Sequence, residues 1–305
     1  MTAHQVTIPA ALPPTASRRK PYNRTKRRSN LLTVVMWLCA LYFVVPLLWL
    51  FISSTKDNGD LFTTFGLWFG KDFNLFANIV EVFTYQDGIY ARWTLNTIMY
   101  AGVSAIGASL LATMAGYAFA KYRFPGDKAL FSITLGAIMI PLTALAIPTY
   151  LLFSSFGLIN TPWAVILPSL VSPFSVFLMR VYAADAVPDS LIEAARVDGA
   201  GELRIFWQVA LRLLGPGIVT VMLFTLVATW NNYFLPLIML NSGQLLPLTV
   251  GLAQQQATSA AGGGAQALFS TVITGSFVSI IPIIIAFLYL QRYWQTGLST
   301  GGVKG

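Results

Sequence analysis

The chain has 305 residues, of which 56% are hydrophobic and only 10% are charged, and its formal net charge is +8. A soluble domain of this length carries about a quarter charged residues, so the composition excludes that class and indicates a membrane protein. The single cysteine, Cys39, excludes an intramolecular disulfide, and with one histidine, His4, no metal-ligand or nucleophile–base constellation is visible.

The first 30 residues form a basic tail that we expect to be disordered and cytoplasmic. Seven of the 19 basic residues lie between Arg18 and Arg28, directly before an apolar run. This position is typical of a membrane-flanking cluster and argues against a nucleic-acid partner. The run Leu31–Ile52 is longer than the core of a cleaved signal peptide and lacks a small-residue cleavage site. We therefore assign residues 31–53 to a first transmembrane helix and residues 54–94 to an extracytoplasmic loop.

Six segments are apolar and long enough to cross about 30 Å of hydrocarbon, which takes roughly 20 residues. Two uncharged stretches, Ala129–Met179 and Leu213–Gln291, are each too long for one helix and are divided at turn-forming residues. The sequence predicts an all-α polytopic membrane protein with a permease core over residues 95–292. The predicted spans are Leu31–Ile52, Leu95–Ala120, Ala129–Phe153, Trp163–Met179, Ile218–Leu240 and Leu268–Leu290.

The basic residues predict the orientation of these spans. With the amino terminus inside, 16 of the 19 basic residues face the cytoplasm, and only Lys56, Lys71 and Arg92 lie outside. Both termini are therefore expected in the cytoplasm, with a tail over residues 293–305. No charged residue falls within a predicted span, whereas proton- and sodium-driven transporters place ionisable groups there. Energy for transport is then expected from outside the chain.

The cytoplasmic loop over residues 180–212 contains a short helix with recognisable ends. Ser190 followed by Glu193 predicts a capping box, and Gly199 offers a residue suited to a left-handed helix stop. Leu191, Ala194 and Ala195 share a narrow face that another surface can approach closely. Packing of this helix under its own bundle and docking onto a partner both remain open on these residues alone.

The segment Glu193-Ala194-Ala195 with Asp198-Gly199-Ala200 resembles the EAA loop of permease subunits of binding-protein-dependent ABC importers. The similarity extends over almost everything after residue 30 and is greatest to the MalG-type permeases of the carbohydrate-uptake branch. It is carried by Tyr117–Gly126, by Trp230-Asn231-Asn232 and by the ending Gly297–Gly305. One departure is Arg212, which stands where the family pattern has a proline.

This resemblance implies a type I ABC importer permease fold in the bacterial cytoplasmic (inner) membrane. The implied partners are the lipid bilayer, a second non-identical permease, two ATPase subunits and an extracytoplasmic solute-binding protein. The chain itself has no Walker A motif, so it is not expected to be an enzyme or to bind a cofactor, and ATP and magnesium belong to the ATPase. The implied coupling residues are Ser190, Glu193, Ala194, Ala195, Asp198 and Gly199, and the tail residues Gly301, Gly302, Val303, Lys304 and Gly305 are expected near the ATPase interface.

The resemblance also implies sugar import, with a di- or oligosaccharide substrate. Trp230, Asn231, Asn232 and Tyr233 have the aromatic and amide groups that bind sugars, although intramembrane amides also serve as interhelical hydrogen-bond partners. In the outer segment 241–266, we expect Gln254, Gln255 and Gln256 to contact the binding protein, with a flexible polar linker as the alternative. An ABC importer permease for glycerol phosphate, a polyol or an amino sugar is the second interpretation. A non-ABC channel or structural subunit is a remote third.

Overall fold

The computed structural model describes residues 30–260 and 268–301, and every regular element within those ranges is helical. The structure divides within the first helix into two units, one that ends at Val45 and one that begins at Pro46. The helices are α1 (Asn30–Ser54), α2 (Asn58–Thr63), α3 (Leu75–Thr84), α4 (Ile89–Lys121), α5 (Asp127–Ile138), α6 (Ala146–Ser155), α7 (Trp163–Leu170), α8 (Pro173–Ala186), α9 (Asp189–Val197), α10 (Glu202–Ile205), α11 (Leu211–Leu213), α12 (Gly215–Trp230), α13 (Phe234–Met239), α14 (Leu248–Ala260) and α15 (Phe269–Gly301).

Four described segments are long and apolar enough to cross a membrane. They are Asn30–Ser54, Leu75–Lys121, Trp163–Ala186 and Phe269–Tyr293. Two bent pairs raise the number to six if each pair is one span: α5 with Leu142–Ser155, bent by 101°, and Glu202–Leu213 with α12, bent by 78°. The prediction of an all-α polytopic membrane protein is confirmed, with four to six spans.

Several predicted span boundaries differ from the structure. The segment predicted over Ala129–Phe153 is broken, because Pro141 lacks the N–H that would continue α5 and takes an extended conformation with ψ 127°. The segment predicted over Ile218–Leu240 begins earlier and ends at Trp230, where the backbone N–H groups of Asn231 and Asn232 close the last turn. The last helix continues to Gly301, past the predicted boundary at residue 292.

Helix α4 is the central element of the second unit. Its 33 residues are about 50 Å long at 1.5 Å per residue, and it packs against α7, α8 and α12. The buried face of α4 between residues 101 and 116 carries only Ala, Ser, Thr and Gly. Small side chains let helix backbones approach closely, as is common between membrane helices. At Gly116, an added Cβ would lie 2.6 Å from the Arg180 backbone nitrogen on α8.

Two clusters of buried side chains surround opposite ends of α4. One contains Tyr90, Trp93 and Tyr100 together with Trp230 and Leu248. The other contains Tyr117 with Met179, Ile192, Phe206 and Leu214. We call the end of α4 at Lys121 the basic end, because Lys128, Arg180 and Arg196 belong to neighbouring segments there. The end near Trp93 is the opposite end.

Candidate functional site

Helix α9 begins two residues earlier than the predicted capping box requires. Pro188 is the residue before the helix, with extended φ/ψ values of −63° and 136°, and no side chain caps the first turn. Ser190 therefore lies inside the first turn, where its hydroxyl cannot occupy the capping position. The capping-box prediction for Ser190 and Glu193 is wrong, since proline supplies the extended residue but has no side-chain oxygen.

The end of α9 follows the predicted left-handed stop. Gly199 has φ +78°, its N–H donates to Arg196 O at 3.0 Å, and the Ala200 N–H donates to Ala195 O at 2.9 Å. These two bonds form a Schellman motif, which pairs carbonyl groups that a helix end otherwise leaves free. Glycine suits this position because a Cβ in the left-handed region costs about 1–2 kcal/mol.

Helix α9 has one face against the bundle and one face exposed. Ile192 is 4% exposed and packs in the core cluster of the basic end, with Ala195 beside it. Leu191 is 44% exposed and Val197 is 88% exposed, and Ala194 is exposed between them. The helix is thus fixed on one side and presents apolar side chains on the other.

Ion pairs attach both ends of α9 to the neighbouring helices. Lys121 at the end of α4 donates to the Asp189 carboxylate at 2.8 Å. Arg196 donates to both carboxylate oxygens of Glu202, at 2.7 and 3.2 Å, and the Tyr122 hydroxyl donates to the same carboxylate at 2.6 Å. The end of α4 therefore contacts the first residue of α9 and, through Glu202, its last turn.

These contacts lower the pKa of both carboxyl groups. The hydrogen bond from Lys121 holds the pKa of Asp189 below its ordinary value, and the hydrogen bonds from Arg196 and Tyr122 do the same for Glu202. Both carboxylates are consequently charged at neutral pH, which the ion pairs require.

The six predicted coupling residues have different surroundings. Ser190, Glu193, Ala194, Asp198 and Gly199 are exposed, and Ala195 is half-buried against the bundle. Within the described residues, the carboxylates of Glu193 and Asp198 accept no hydrogen bond. Among residues 30–260 and 268–293, no contact therefore occupies either carboxylate, and their role in coupling stays a prediction.

The residues that hold α9 in place were not predicted from the sequence. No role in positioning α9 was expected for Lys121, Tyr122, Asp189, Arg196 or Glu202, although the charges that flank the spans were visible. Lys121 and Asp189 are 68 positions apart, so no helical spacing relates them. Only the packing of α4 beside α9 brings them together.

At the opposite end, the structure brings predicted substrate residues and one predicted binding-protein contact into one cavity. Trp230, Asn231, Tyr233 and Gln256 line a cavity of about 360 Å³ between α12, α14 and α15. Asn232 does not line it. The Asn232 side-chain oxygen accepts a long bond of 3.4 Å from the Leu235 N–H, and its carbonyl oxygen accepts from the Thr249 hydroxyl at 2.8 Å.

The three consecutive glutamines have three different environments because successive residues of a helix point about 100° apart. Gln254 is exposed, Gln255 is 7% exposed and Gln256 lines the cavity. A contact with a binding protein therefore fits the exposed Gln254 and does not fit Gln255 in this conformation.

The segment before α14 is tied to α4, which excludes a flexible linker over residues 243–248. Asn96 donates to Gln244 O at 2.8 Å and to Leu246 O at 3.0 Å, and Tyr100 donates to Leu245 O at 2.8 Å. The end of the predicted outer segment, residues 261–266, lies outside the described residues, as do Gly302, Val303, Lys304 and Gly305 of the tail. Gly301 is the last described residue of α15.

The fold and helix α9 define a polytopic helical membrane protein with an exposed apolar face at its basic end. Residues 108–296 match the family of binding-protein-dependent transport system inner membrane components, and the chain belongs to that family. It is a non-enzymatic, multi-pass permease subunit of the inner membrane that works with other ABC importer subunits. Family membership excludes the interpretation as a non-ABC channel or structural protein.

Relatives of the chain match it over most of their length. The arabinooligosaccharides transport system permease protein AraQ of Halalkalibacterium halodurans is 35% identical, over 91% of this chain and 97% of the relative. The diacetylchitobiose uptake system permease protein NgcG of Streptomyces coelicolor is 27% identical, over 88% of this chain and 86% of the relative. A chain of a bacterial ABC transporter involved in import of the acidic polysaccharide alginate has the same fold, with a TM-score of 0.76, 24% identity, and coverage of 87% of this chain and 95% of that one.

Proposed function

We propose that this chain is the transmembrane permease subunit of an ATP-driven sugar importer, coupled to a separate ATPase through helix α9. The observation that carries the proposal is the two-sided character of α9. Ile192 fixes one face of the helix to the bundle, while Leu191 and Val197 remain exposed on the other. Exposed apolar side chains on a rigidly held helix are typical of a surface that a partner covers.

Alternating access would follow from rigid-body movement of α9. The ion pairs to Lys121 and Glu202 and the Schellman motif at Gly199 make the helix move with the ends of its neighbours. When two ATPase subunits close on nucleotide, a docked α9 would transmit that motion to α4, whose 33 residues span the bundle. The ATPase subunits would bind ATP and magnesium, and this chain would bind neither.

The partner set would be a second non-identical permease, two ATPase subunits and an extracytoplasmic solute-binding protein. The chain would lie with both termini in the cytoplasm, which puts the basic end and α9 on the side of the ATPase. The tail Gly301–Gly305 would lie near the ATPase interface. Gln254, exposed on α14 at the opposite end, would be available to the binding protein.

The substrate would be a neutral di- or oligosaccharide. The names of two relatives refer to transport of arabinooligosaccharides and uptake of diacetylchitobiose, and these relatives align with 91% and 88% of this chain. The residues that line the cavity at Trp230 carry no charge, which fits a neutral solute better than glycerol phosphate.

The test is affinity purification of the chain in mild detergent, with each co-purifying subunit identified by mass spectrometry. We expect a second permease and an ATPase with a Walker A motif. Val197→Asp should lower recovery of the ATPase at least tenfold, because a carboxylate replaces an apolar side chain in the contact. Val197→Ala is the matched control and should retain the ATPase. Full recovery with Val197→Asp would contradict docking through α9.

The substrate class is tested on the same complex in nanodiscs with the solute-binding protein added. ATPase activity should rise with a neutral disaccharide and stay at its basal rate with glycerol 3-phosphate or a polyol. Stimulation by glycerol 3-phosphate alone would replace the sugar assignment while leaving the coupling proposal intact.

A further inference from the structure

The cavity at the opposite end from α9 combines three helices that are distant in sequence. Trp230 comes from the end of α12, Gln256 from α14, and Ser276 and Ser279 from α15. Its volume of about 360 Å³ lies near the lower limit of small-molecule sites, which are about 300–1,000 Å³. A cavity of this size has room for one or two sugar rings, not for a whole oligosaccharide.

The aromatic residue of this cavity has a polar group that no described residue pairs. Trp230 is 7% exposed, and its indole N–H makes no hydrogen bond within residues 30–260 and 268–293. The indole nitrogen is not among the enclosed polar atoms that lack a partner, so it remains accessible to a ligand. Gln256 is exposed, and in the described part of the chain its amide has no partner either. These two groups supply donors, and the Gln256 oxygen supplies an acceptor.

The other polar side chains that line the cavity are placed to accept hydrogen bonds from a ligand. The hydroxyl of Ser276 donates to Val272 O at 2.8 Å, and that of Ser279 donates to Ser276 O at 2.7 Å. Each proton is thus used within α15, which leaves the oxygen lone pairs available. Asn231 donates one amide proton to Val227 O at 2.9 Å and keeps its side-chain oxygen free.

We infer that this cavity is a saccharide subsite of the permease, with Trp230, Asn231 and Gln256 as its main contacts. The inference rests on the proposed sugar-import function and adds the location of a substrate contact within this chain. Paired donors and acceptors around an aromatic ring match the hydroxyl groups and C–H surface of a pyranose or furanose ring. Since no Lys, Arg, His, Asp or Glu lines the cavity, the ligand is a neutral sugar unit and not an acidic one.

The subsite is tested first by uptake into proteoliposomes that contain the complete importer. Arabinobiose, diacetylchitobiose and lactose are the neutral probes, and digalacturonate and glycerol 3-phosphate are the charged ones. For the neutral sugar that is transported, Gln256→Leu and Trp230→Phe should lower kcat/KM at least tenfold. Thr258→Val is the matched control, since Thr258 is exposed on the same helix and its hydroxyl bonds only Gln254 O. That variant should stay within twofold of the wild type.

Occupancy is measured separately by thiol labelling in the complex. Cys39 is the only cysteine of the chain, so Cys39→Ser provides a background in which a new thiol can be followed. In that background, the transported sugar should slow maleimide labelling of Ser279→Cys at least threefold. The same sugar should leave labelling of Thr258→Cys unchanged, and digalacturonate should protect neither position.

The outcomes separate this inference from the proposed function. Transport of a neutral sugar with no protection at Ser279→Cys overturns the subsite and leaves the importer assignment standing, even if Gln256→Leu lowers uptake through a structural effect. Transport of charged probes alone contradicts both. Protection together with loss of uptake in both cavity variants supports the subsite.

Discussion

The two ends of α4 hold neighbouring segments by different kinds of contact. At the basic end, α9 is held by ion pairs whose acidic partners, Asp189 and Glu202, are exposed. At the opposite end, the segment 243–248 is held by neutral side chains of α4 that donate to backbone carbonyls, such as Asn96 and Tyr100. One end relies on charge at the surface, and the other relies on buried hydrogen bonds.

This difference separates a movable attachment from a fixed one. An exposed ion pair is worth about 0.2–1 kcal/mol and can be remade in another geometry. A buried hydrogen bond contributes about 0.5–1.5 kcal/mol, but leaving its partner unpaired costs about 1–3 kcal/mol. We therefore expect the segment before α14 to keep its contacts with α4. At the basic end, Ile192 keeps α9 moving with the bundle as one body, and only the terminal ion pairs change their geometry when a partner binds the exposed face.

The largest effect is expected where α4 meets α8, close to the basic end of α4. Gly116→Ala would place a Cβ 2.6 Å from backbone and Cβ atoms of Arg180 and Met179, which cannot move aside easily. Overpacking of this kind costs about 3 kcal/mol. Gly102→Ala on the same helix meets nothing within 4 Å and is the control. Thermal unfolding in detergent should show a lower Tm for Gly116→Ala alone, and equal Tm values would contradict the close packing.

The next effect tests the fixed attachment. Asn96→Leu removes the donor to Gln244 O and Leu246 O, and we expect a loss of about 2 kcal/mol of stability. Thr94→Val is the control, because Thr94 bonds only Tyr90 O within its own helix. Hydrogen exchange over residues 243–248 should increase in Asn96→Leu and not in Thr94→Val. Unchanged protection would show that these bonds do not hold the segment.

The third change alters Gly199, the residue at which α9 ends. It should lower stability less than Asn96→Leu does, but it should have a larger effect on coupling to the ATPase. Gly199→Val forces a β-branched residue into φ +78°, at a cost of about 1–2 kcal/mol. Gly201→Val has equal space but an ordinary φ of −72° and serves as the matched control. We expect Gly199→Val to abolish sugar-stimulated ATPase activity and uptake. Retention of both activities would mean that the helix stop is not needed for coupling.

The smallest effect is expected at the ion pair itself. Asp189→Asn removes the charge of the exposed partner, whose side chain is 79% exposed, so it should lower the stability of α9 least of the four changes, and Asp189→Glu should keep the wild-type value. Because the pKa of Asp189 and of Glu202 is lowered in the folded chain, these pairs stabilise α9 above the ordinary values of 3.8 and 4.5 and are lost only below them. ATPase recovery should therefore be constant from about pH 6 to pH 8. An equal loss of stability in Asp189→Glu would show that the charge of residue 189 is not what holds the start of α9.

The sequence by itself determined the class of protein and the location of helix α9, whose docking role stays a prediction. The low charge content required a membrane protein, and Gly199 marked the end of α9 because a left-handed residue has few alternatives to glycine. These features are local, since they depend on hydropathy and on the φ angle of a single residue. The family resemblance depended equally on short stretches of residues.

Only the tertiary structure decided what these elements touch. The pairing of Lys121 with Asp189, the burial of Gln255 beside the cavity-lining Gln256, and the end of α12 at Trp230 all depend on helices far apart in sequence. Hydropathy cannot distinguish a helix that ends at a cavity from one that continues, because both are apolar. Contacts between distant segments are set by packing, and packing depends on small differences in side-chain size and helix direction that a linear pattern does not carry.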